Sequence, residues 1–98
     1  MSVVSVLYLP VREGAEDDVA RVYVEAEIFE LSRQSGGFRS GRLLRPLRAG
    51  EPMLVIAEWD DDADYQRWLD NPVRATLGEL ITPHLSGEVV AGTLYRDA

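Results

Sequence analysis

The sequence predicts an α+β fold, in which helices cover one face of an antiparallel β-sheet. Short runs rich in valine, leucine and tyrosine alternate with stretches whose apolar residues recur every three or four positions. In chain order these segments read strand, helix, strand, strand, helix, strand. The length of 98 residues suits one domain, so residues 1–98 are treated as a single unit.

The first half of the chain begins with a strand and a long helix. Residues 3–11 are rich in β-branched and aromatic side chains, which favour a strand. Acidic residues at positions 16–18 favour a helix N-terminus. One continuous helix is predicted from there to Ser35, where two glycines end it. Its apolar face repeats at helical spacing through Val19, Val22, Tyr23, Ala26 and Phe29.

The second half supplies three strands and the remaining helical segments. Residues 38–44 and 53–59 read as strands joined by a turn. Three aspartates at positions 60–62 predict the N-cap of a helix that extends to Leu69, which is a better explanation than a calcium loop. An Asn-Pro pair then restarts the helix and a Thr-Pro pair stops it. Residues 88–96 are predicted to form the last strand.

This element order is that of the ferredoxin-like split βαβ pattern, an antiparallel sheet with its helices on one face. The other face of such a sheet is normally polar and solvated. Residues 53–57 and 89–91 are instead apolar at consecutive positions, so both faces of these strands are apolar. A second cover is therefore needed, and we expect a homodimer in which the sheets of two copies face each other.

The composition argues against several classes of function. Seventeen acidic and ten basic residues give a formal charge of −7, without a basic cluster for nucleic acid or an anionic membrane. The absence of cysteine removes thiolate metal sites and cysteine nucleophiles, and a single histidine cannot form a multi-histidine metal site. Because the N-terminus does not read as a signal peptide and no apolar run spans a bilayer, we expect a cytoplasmic protein.

The most informative segment is residues 53–72, an apolar strand that passes through three aspartates into a helix. It contains both tryptophans of the chain, Trp59 and Trp68. Tyr65 lies three residues before Trp68, and this spacing places both side chains on one helix face. Such a cluster forms either hydrophobic core or the wall of a pocket for a flat aromatic ligand, and the pattern leaves both interpretations open.

Four segments carry a resemblance to a known family: LYLPVREG, the SGGF turn, VIAEWDDDADYQRWLDNP and the tail LITPHLSGE. In this order and spacing, over nearly the whole chain, they resemble the antibiotic biosynthesis monooxygenases, which are small dimeric α+β barrel proteins. The resemblance implies a ferredoxin-like homodimer. It also implies an oxygenase that needs no cofactor, with dioxygen and a small polycyclic aromatic compound as substrates.

The resemblance also assigns individual positions. In members that oxygenate polyketide anthrones, the pocket tryptophan matches Trp59 and a pocket tyrosine matches Tyr65. Two polar pocket residues of those members fall on Val55 and near Gly78. In haem-degrading members a tryptophan matches Trp68, but their iron-ligating histidine falls on Gly78. The resemblance thus implies aromatic pocket walls and makes haem degradation an unfavoured activity.

Two residues are candidates for moving a proton. His84 is the only histidine, and histidine is the residue type best suited to act as a general base near neutral pH. The resemblance makes Tyr65 the second candidate. A surface histidine is the alternative interpretation of His84.

The predicted substrate-binding residues lie on several elements. Strict alternation along the second strand places Arg42 on the face of Phe38, from where its guanidinium would reach an anionic or phenolic ligand. A solvated or interface arginine is the alternative. The full substrate-binding set predicted from the sequence is Trp59, Trp68, Arg42, Tyr23 and Phe29.

The function predicted from these residues and the resemblance is a cofactor-independent monooxygenase. It would oxidise an anthrone- or quinol-like aromatic compound to a quinone. Two other functions remain open: a polyketide cyclase or isomerase, which needs only acid–base groups, and a dimeric barrel that binds a small molecule without catalysis. The apolar or absent side chains at Val55 and Gly78 favour the last of these.

Overall fold

The chain was analysed as a computed structural model, which describes residues 2–98. A short 3₁₀ turn, Thr82–His84, follows the last helix. The elements are β1 (Val3–Leu9), α1 (Glu16–Glu25), α2 (Ile28–Ser35), β2 (Phe38–Leu44), β3 (Met53–Trp59), α3 (Asp62–Leu69), α4 (Val73–Ile81) and β4 (Thr93–Tyr95).

The four strands form one antiparallel sheet in the order β2-β3-β1-β4. β1 and β3 are central and pair along their whole length, from Val3 opposite Trp59 to Leu9 opposite Met53. This strand order and the helices between the strands confirm the predicted ferredoxin-like α+β class.

The two faces of the sheet differ in their cover. Alternate residues of β3, from Met53 to Trp59, are buried in one core with side chains of all four helices. The intervening residues Leu54 and Ile56 point to the opposite face and are only half-buried. Tyr8, on this opposite face, is 54% exposed. The predicted strand with two apolar faces is therefore present at β3, and helices cover one of those faces. Residues 89–91, the other segment predicted to have two apolar faces, form no strand.

The single long helix predicted between the first two strands is wrong, because the chain breaks at Glu27. This residue adopts the left-handed conformation, with φ 53° and ψ 46°, and separates α1 from α2. The apolar spacing continues across the break because both helices use the same core. Tyr23 is buried at the end of α1, and Ile28 and Ser32 are buried on α2.

The strict alternation predicted for the second strand is also wrong. Phe38 pairs with Trp59, but Ser40 pairs with Glu58, so Arg39 is an extra residue in the ladder. The bulge shifts the alternation by one residue. Phe38 lies on the helix-covered face, whereas Arg42 pairs with Ile56 and lies on the opposite, helix-free face.

The last strand is shorter than predicted. Only Thr93–Tyr95 pairs with β1, and residues 88–92 form no regular element. The backbone N–H of Gly92 donates instead to the hydroxyl of Tyr65, at 3.0 Å. This hydrogen bond holds the segment over the helix-covered side of the sheet.

Side-chain caps begin both helices that follow β3. The carboxylate of Asp61 accepts a hydrogen bond from the backbone N–H of Ala63 at 3.0 Å, which confirms the predicted capping by the aspartates. The side-chain oxygen of Asn71 accepts from the N–H of Val73 at 3.0 Å and sets the start of α4. Among residues 2–98, no helix is long and apolar enough to cross a bilayer.

Replacing Glu27 by glycine should stabilise the fold. The left-handed conformation costs an L-residue about 1–2 kcal/mol, and glycine avoids this cost while losing more entropy on folding. We expect the free energy of unfolding to rise by up to about 1 kcal/mol in urea denaturation. Glu25→Gly, in the last turn of α1, should lower it by about 0.5–1 kcal/mol. Equal effects at the two positions would contradict the assigned strain.

Candidate functional site

A cavity of about 830 Å³ lies between the helix-covered face of the sheet and the helices. Small-molecule sites typically occupy about 300–1,000 Å³, so the volume suits a ligand of several fused rings. Leu7, Val55 and Ala57 form part of its floor on the sheet. Asp70 and Glu88 also line it, and both are exposed, which places them at its mouth.

Five aromatic side chains form a continuous row along this cavity. The ring centroids of successive members are 5.2 to 6.0 Å apart, within the range for favourable aromatic pairs. The second and third rings are stacked, and the third meets the fourth edge to face. In order, the row is Tyr23, Phe29, Phe38, Trp59 and Tyr65.

Trp59 is both core and cavity wall. Its side chain is 1% exposed, and its indole N–H donates to the hydroxyl of Ser5 at 3.1 Å. Ser5 is itself buried on β1, so the hydrogen bond satisfies a polar group that burial would otherwise penalise. The ring is held in one orientation, and part of its surface faces the cavity. Trp59 therefore fits both interpretations of the aromatic cluster, hydrophobic core and pocket wall.

Tyr65 presents a hydroxyl inside the cavity. The phenol oxygen accepts the N–H of Gly92, so the hydroxyl proton of Tyr65 is not used in this contact. A Cβ at position 92 would lie 2.5 Å from that oxygen. Glycine is thus required for the close approach between the backbone after α4 and the tyrosine.

Tyr23 contributes a second phenol. Burial raises the pKa of Tyr23 well above its ordinary value of 10.0, and the charge of Arg74 opposes part of that shift. Tyr23 is therefore a neutral hydrogen-bond donor near pH 7. Among residues 2–98, the Tyr23 hydroxyl makes no hydrogen bond. Every fully buried polar side-chain atom in this part of the chain has a hydrogen-bond partner, so the Tyr23 hydroxyl is not fully buried. The hydroxyl is therefore open to the cavity that Tyr23 lines.

Arg74 is a cavity residue that the sequence analysis missed. It lies in the first turn of α4 and lines the cavity together with Leu77 and Ile81. These positions are separated by three and four residues, the spacing of one helix face. An arginine in register with an apolar helix stripe was the signal available in the sequence.

Two predicted site residues do not line the cavity. His84 follows α4, its side chain is 30% exposed, and its Nδ1 lies 3.9 Å from the carboxylate of Asp18. Arg42 lies on the opposite face of the sheet because of the bulge at Arg39. The cavity does bring together the other predicted residues: Trp59, Tyr65, Trp68, Tyr23 and Phe29. Within the described part of the chain, no cluster of three or more potential metal ligands is present.

The sequence of the chain matches a known family. A family model described as antibiotic biosynthesis monooxygenase matches residues 2–77. The chain belongs to this family. Among curated proteins, this antibiotic biosynthesis monooxygenase family member is similar to the haem oxygenase (mycobilin-producing) of Mycobacterium tuberculosis. The two are 28% identical over 88 residues, which cover 89% of this chain and 82% of that protein.

Solved structures share the fold of this family member. A putative antibiotic biosynthesis monooxygenase from Bordetella bronchiseptica superposes with a TM-score of 0.84 at 12% identity, covering 99% of this chain and 97% of that one. SnoaB, a cofactor-independent oxygenase from Streptomyces nogalater, superposes with a TM-score of 0.76 at 18% identity, covering 99% and 93%. These likenesses show the fold.

The cavity residues do not fit a haem iron. α4 contains no histidine, and Gly78, the position predicted to match the iron ligand, has no side chain. His84 does not line the cavity. A phenolate can ligate haem iron, but burial disfavours ionisation of Tyr23. The described residues that line the cavity therefore include no histidine to ligate the iron, despite the retained Trp68.

The buried phenol of Tyr23 predicts a loss of stability in alkali. Its pKa is raised in the folded state, so its contribution is fully present below the unfolded pKa of about 10 and is lost above it, by up to about 1.4 kcal/mol per pH unit. Urea denaturation between pH 10 and 11, roughly the onset of unfolded-state ionisation, should show a flatter decline for Tyr23→Phe. Tyr8→Phe, at an exposed tyrosine, should decline as the unmodified protein does. Identical curves for Tyr23→Phe and the unmodified protein would refute this assignment.

Proposed function

We propose that this protein is a cofactor-independent monooxygenase that oxidises an anthrone- or quinol-like polycyclic aromatic compound to a quinone. The observation that carries the proposal is the row of five aromatic side chains along a cavity of about 830 Å³. Flat aromatic ligands stack favourably on such walls. Membership of the monooxygenase family and the fold shared with SnoaB support the same chemistry.

The proposed reaction balances with dioxygen as the sole oxidant. For an anthrone, loss of a proton gives an aromatic oxyanion, which passes one electron to dioxygen. The resulting radical and superoxide combine at the ring carbon to give a hydroperoxide. Loss of water from this intermediate leaves the quinone carbonyl, so one oxygen atom enters the product and the other leaves as water.

The side chains of the cavity have distinct roles in this proposal. Trp59, Phe38 and Trp68 hold the rings and exclude water from the reacting carbon. The Tyr65 oxygen accepts a hydrogen bond from the substrate hydroxyl. The proton of that hydroxyl passes through Tyr65 toward water at the mouth of the cavity. His84 takes no part, because the cavity does not reach it.

Two other functions use the same cavity. A cyclase or isomerase needs only positioned acid–base groups, which the two cavity phenols provide. A binding protein needs only the walls, and the apolar Val55 and the missing side chain at Gly78 favour it over catalysis. A product of unchanged oxidation state would establish the first, and tight binding without turnover would establish the second.

The helix-free face of the sheet supports a homodimer. Val6 and Ile56 are paired at its centre, and both are half-buried apolar side chains without a helix above them. Tyr8 and Tyr95 extend the apolar surface and are each 54% exposed. A second copy of the same face would remove this surface from water, and such burial drives association.

Oxygen consumption tests the proposed reaction. The unmodified protein should consume dioxygen with anthrone or a naphthohydroquinone faster than buffer does, and the quinone should appear in the absorption spectrum. Anthrone gives the quinone and water, whereas the naphthohydroquinone loses two electrons and two protons to dioxygen and gives the quinone and hydrogen peroxide. Tyr65→Phe should lower kcat by about a hundredfold or more, because it removes the proton-transfer group. His84→Gln should retain full activity. An unmodified protein without uptake above buffer for either compound would exclude the proposed activity.

The oligomeric state tests the helix-free face. Light scattering at micromolar concentration should give a mass twice the 10.9 kDa of the chain. Ile56→Glu should shift the mass toward that of the monomer, because it places an unpaired charge in the proposed interface. Val24→Glu, at an exposed valine of α1, should leave the mass unchanged. A monomeric mass for the unmodified protein would refute the dimer.

A further inference from the structure

Arg74 is a cation without an ionic partner in a cavity lined mostly by apolar side chains. Among the described residues that line the cavity, the other charged side chains are Asp70 and Glu88. Both are exposed at its mouth, and neither carboxylate lies within 4.0 Å of the guanidinium. Arg74 itself is half-buried, and its side chain takes part in no hydrogen bond among residues 2–98.

This state distinguishes Arg74 from the arginines that form ion pairs. Five arginines pair with a neighbouring carboxylate on the surface, and all of them are more than half exposed: Arg21, Arg33, Arg39, Arg45 and Arg67. A guanidinium that lines a partly dry cavity interacts more strongly with an anion than a solvated one does. Arg74 therefore retains an unused capacity to bind negative charge.

The phenol of Tyr23 lines the same cavity as this cation. Both side chains line the cavity, Tyr23 from α1 and Arg74 from α4, and the charge of Arg74 acts on the ionisation of Tyr23. Guanidinium and neutral phenol are both hydrogen-bond donors. A ligand oxygen that carries negative charge fits between two such donors, whereas a ligand cation does not.

We propose that Arg74 and Tyr23 form an anion subsite, which binds the ionised oxygen of an aromatic ligand lying against the aromatic row. The inference rests on the proposed function in taking the cavity as the ligand site. In the proposed reaction, Arg74 stabilises the oxyanion that reacts with dioxygen and stays protonated itself. The proton lost from the substrate passes to water.

Calorimetric titration with two small probes tests the subsite. 2-Naphthoate carries a permanent anion at neutral pH, and 2-naphthalenemethanol is its neutral counterpart. The unmodified protein should bind the naphthoate more tightly than the alcohol. Arg74→Gln should weaken naphthoate binding about tenfold or more, the loss expected for a charge-assisted hydrogen bond, and leave binding of the alcohol unchanged. Arg74→Lys should restore part of the difference.

A matched control separates the subsite from net charge. Arg48→Gln removes the same charge from an exposed turn and should change the binding of neither probe. If the alcohol binds and the naphthoate binds no tighter, the anion subsite is refuted while the aromatic cavity stands. If neither probe binds, the proposed ligand site fails and the subsite fails with it. Far-UV circular dichroism of Arg74→Gln reports whether the variant is folded.

A coloured phenol distinguishes the two kinds of anion that the subsite could bind, an ionised phenol and a carboxylate. The ionised form of 4-nitro-1-naphthol absorbs at longer wavelength than the neutral form, so its pKa is measurable when bound. The subsite should lower this pKa by about one unit, and Arg74→Gln should abolish the shift. An Arg74-dependent preference for naphthoate without this shift would assign the subsite to carboxylates. If neither the preference for naphthoate nor the pKa shift of the naphthol depends on Arg74, the proposal is overturned.

Discussion

The fixed indole of Trp59 is the contact on which the sheet, the helices and the cavity all depend. Trp59 ends β3, pairs with Val3 on one side and Phe38 on the other, and is almost fully buried. Its N–H bond to Ser5 joins the two central strands through side chains as well as backbone. Because the ring cannot turn, its neighbours Phe38 and Tyr65 pack at set angles to it, and the cavity wall is preorganised.

The irregular points of the backbone cluster around this wall. The left-handed residue Glu27 redirects the chain just before Phe29, and the bulge at Arg39 directly follows Phe38. Gly41 lies beneath Phe29, whose ring would be 2.5 Å from a Cβ at that position. Each irregularity therefore helps to bring one ring of the aromatic row against the next. The backbone thus adopts less favourable conformations at positions that bring the rings of the cavity wall together.

Part of this structure was predictable because periodicity reports burial. The run of apolar residues in β3 indicated a strand with two apolar faces, and the aromatic residues at its end left two interpretations open, hydrophobic core and cavity wall. A left-handed residue or a bulge affects a single position and therefore leaves no periodic pattern in the sequence. Glutamate is not a residue type that favours the left-handed conformation, so the sequence did not mark the break at Glu27. One bulge residue places Arg42 on the other face of the sheet. Arg74 was overlooked because a charged residue on an apolar stripe reads as an interruption.

The proposed reaction requires that a phenolic proton be lost without a buried base. Among the described lining residues, no imidazole is present and the carboxylates lie at the mouth. A neutral phenol is a poor proton acceptor, so stabilising the product anion contributes more than removing the proton. A cation inside the cavity lowers the pKa of a bound phenol, and the proton then passes through Tyr65 to solvent. In the proposed reaction, stabilisation of the oxyanion by Arg74 thus replaces removal of the proton by His84, the role that the sequence had suggested.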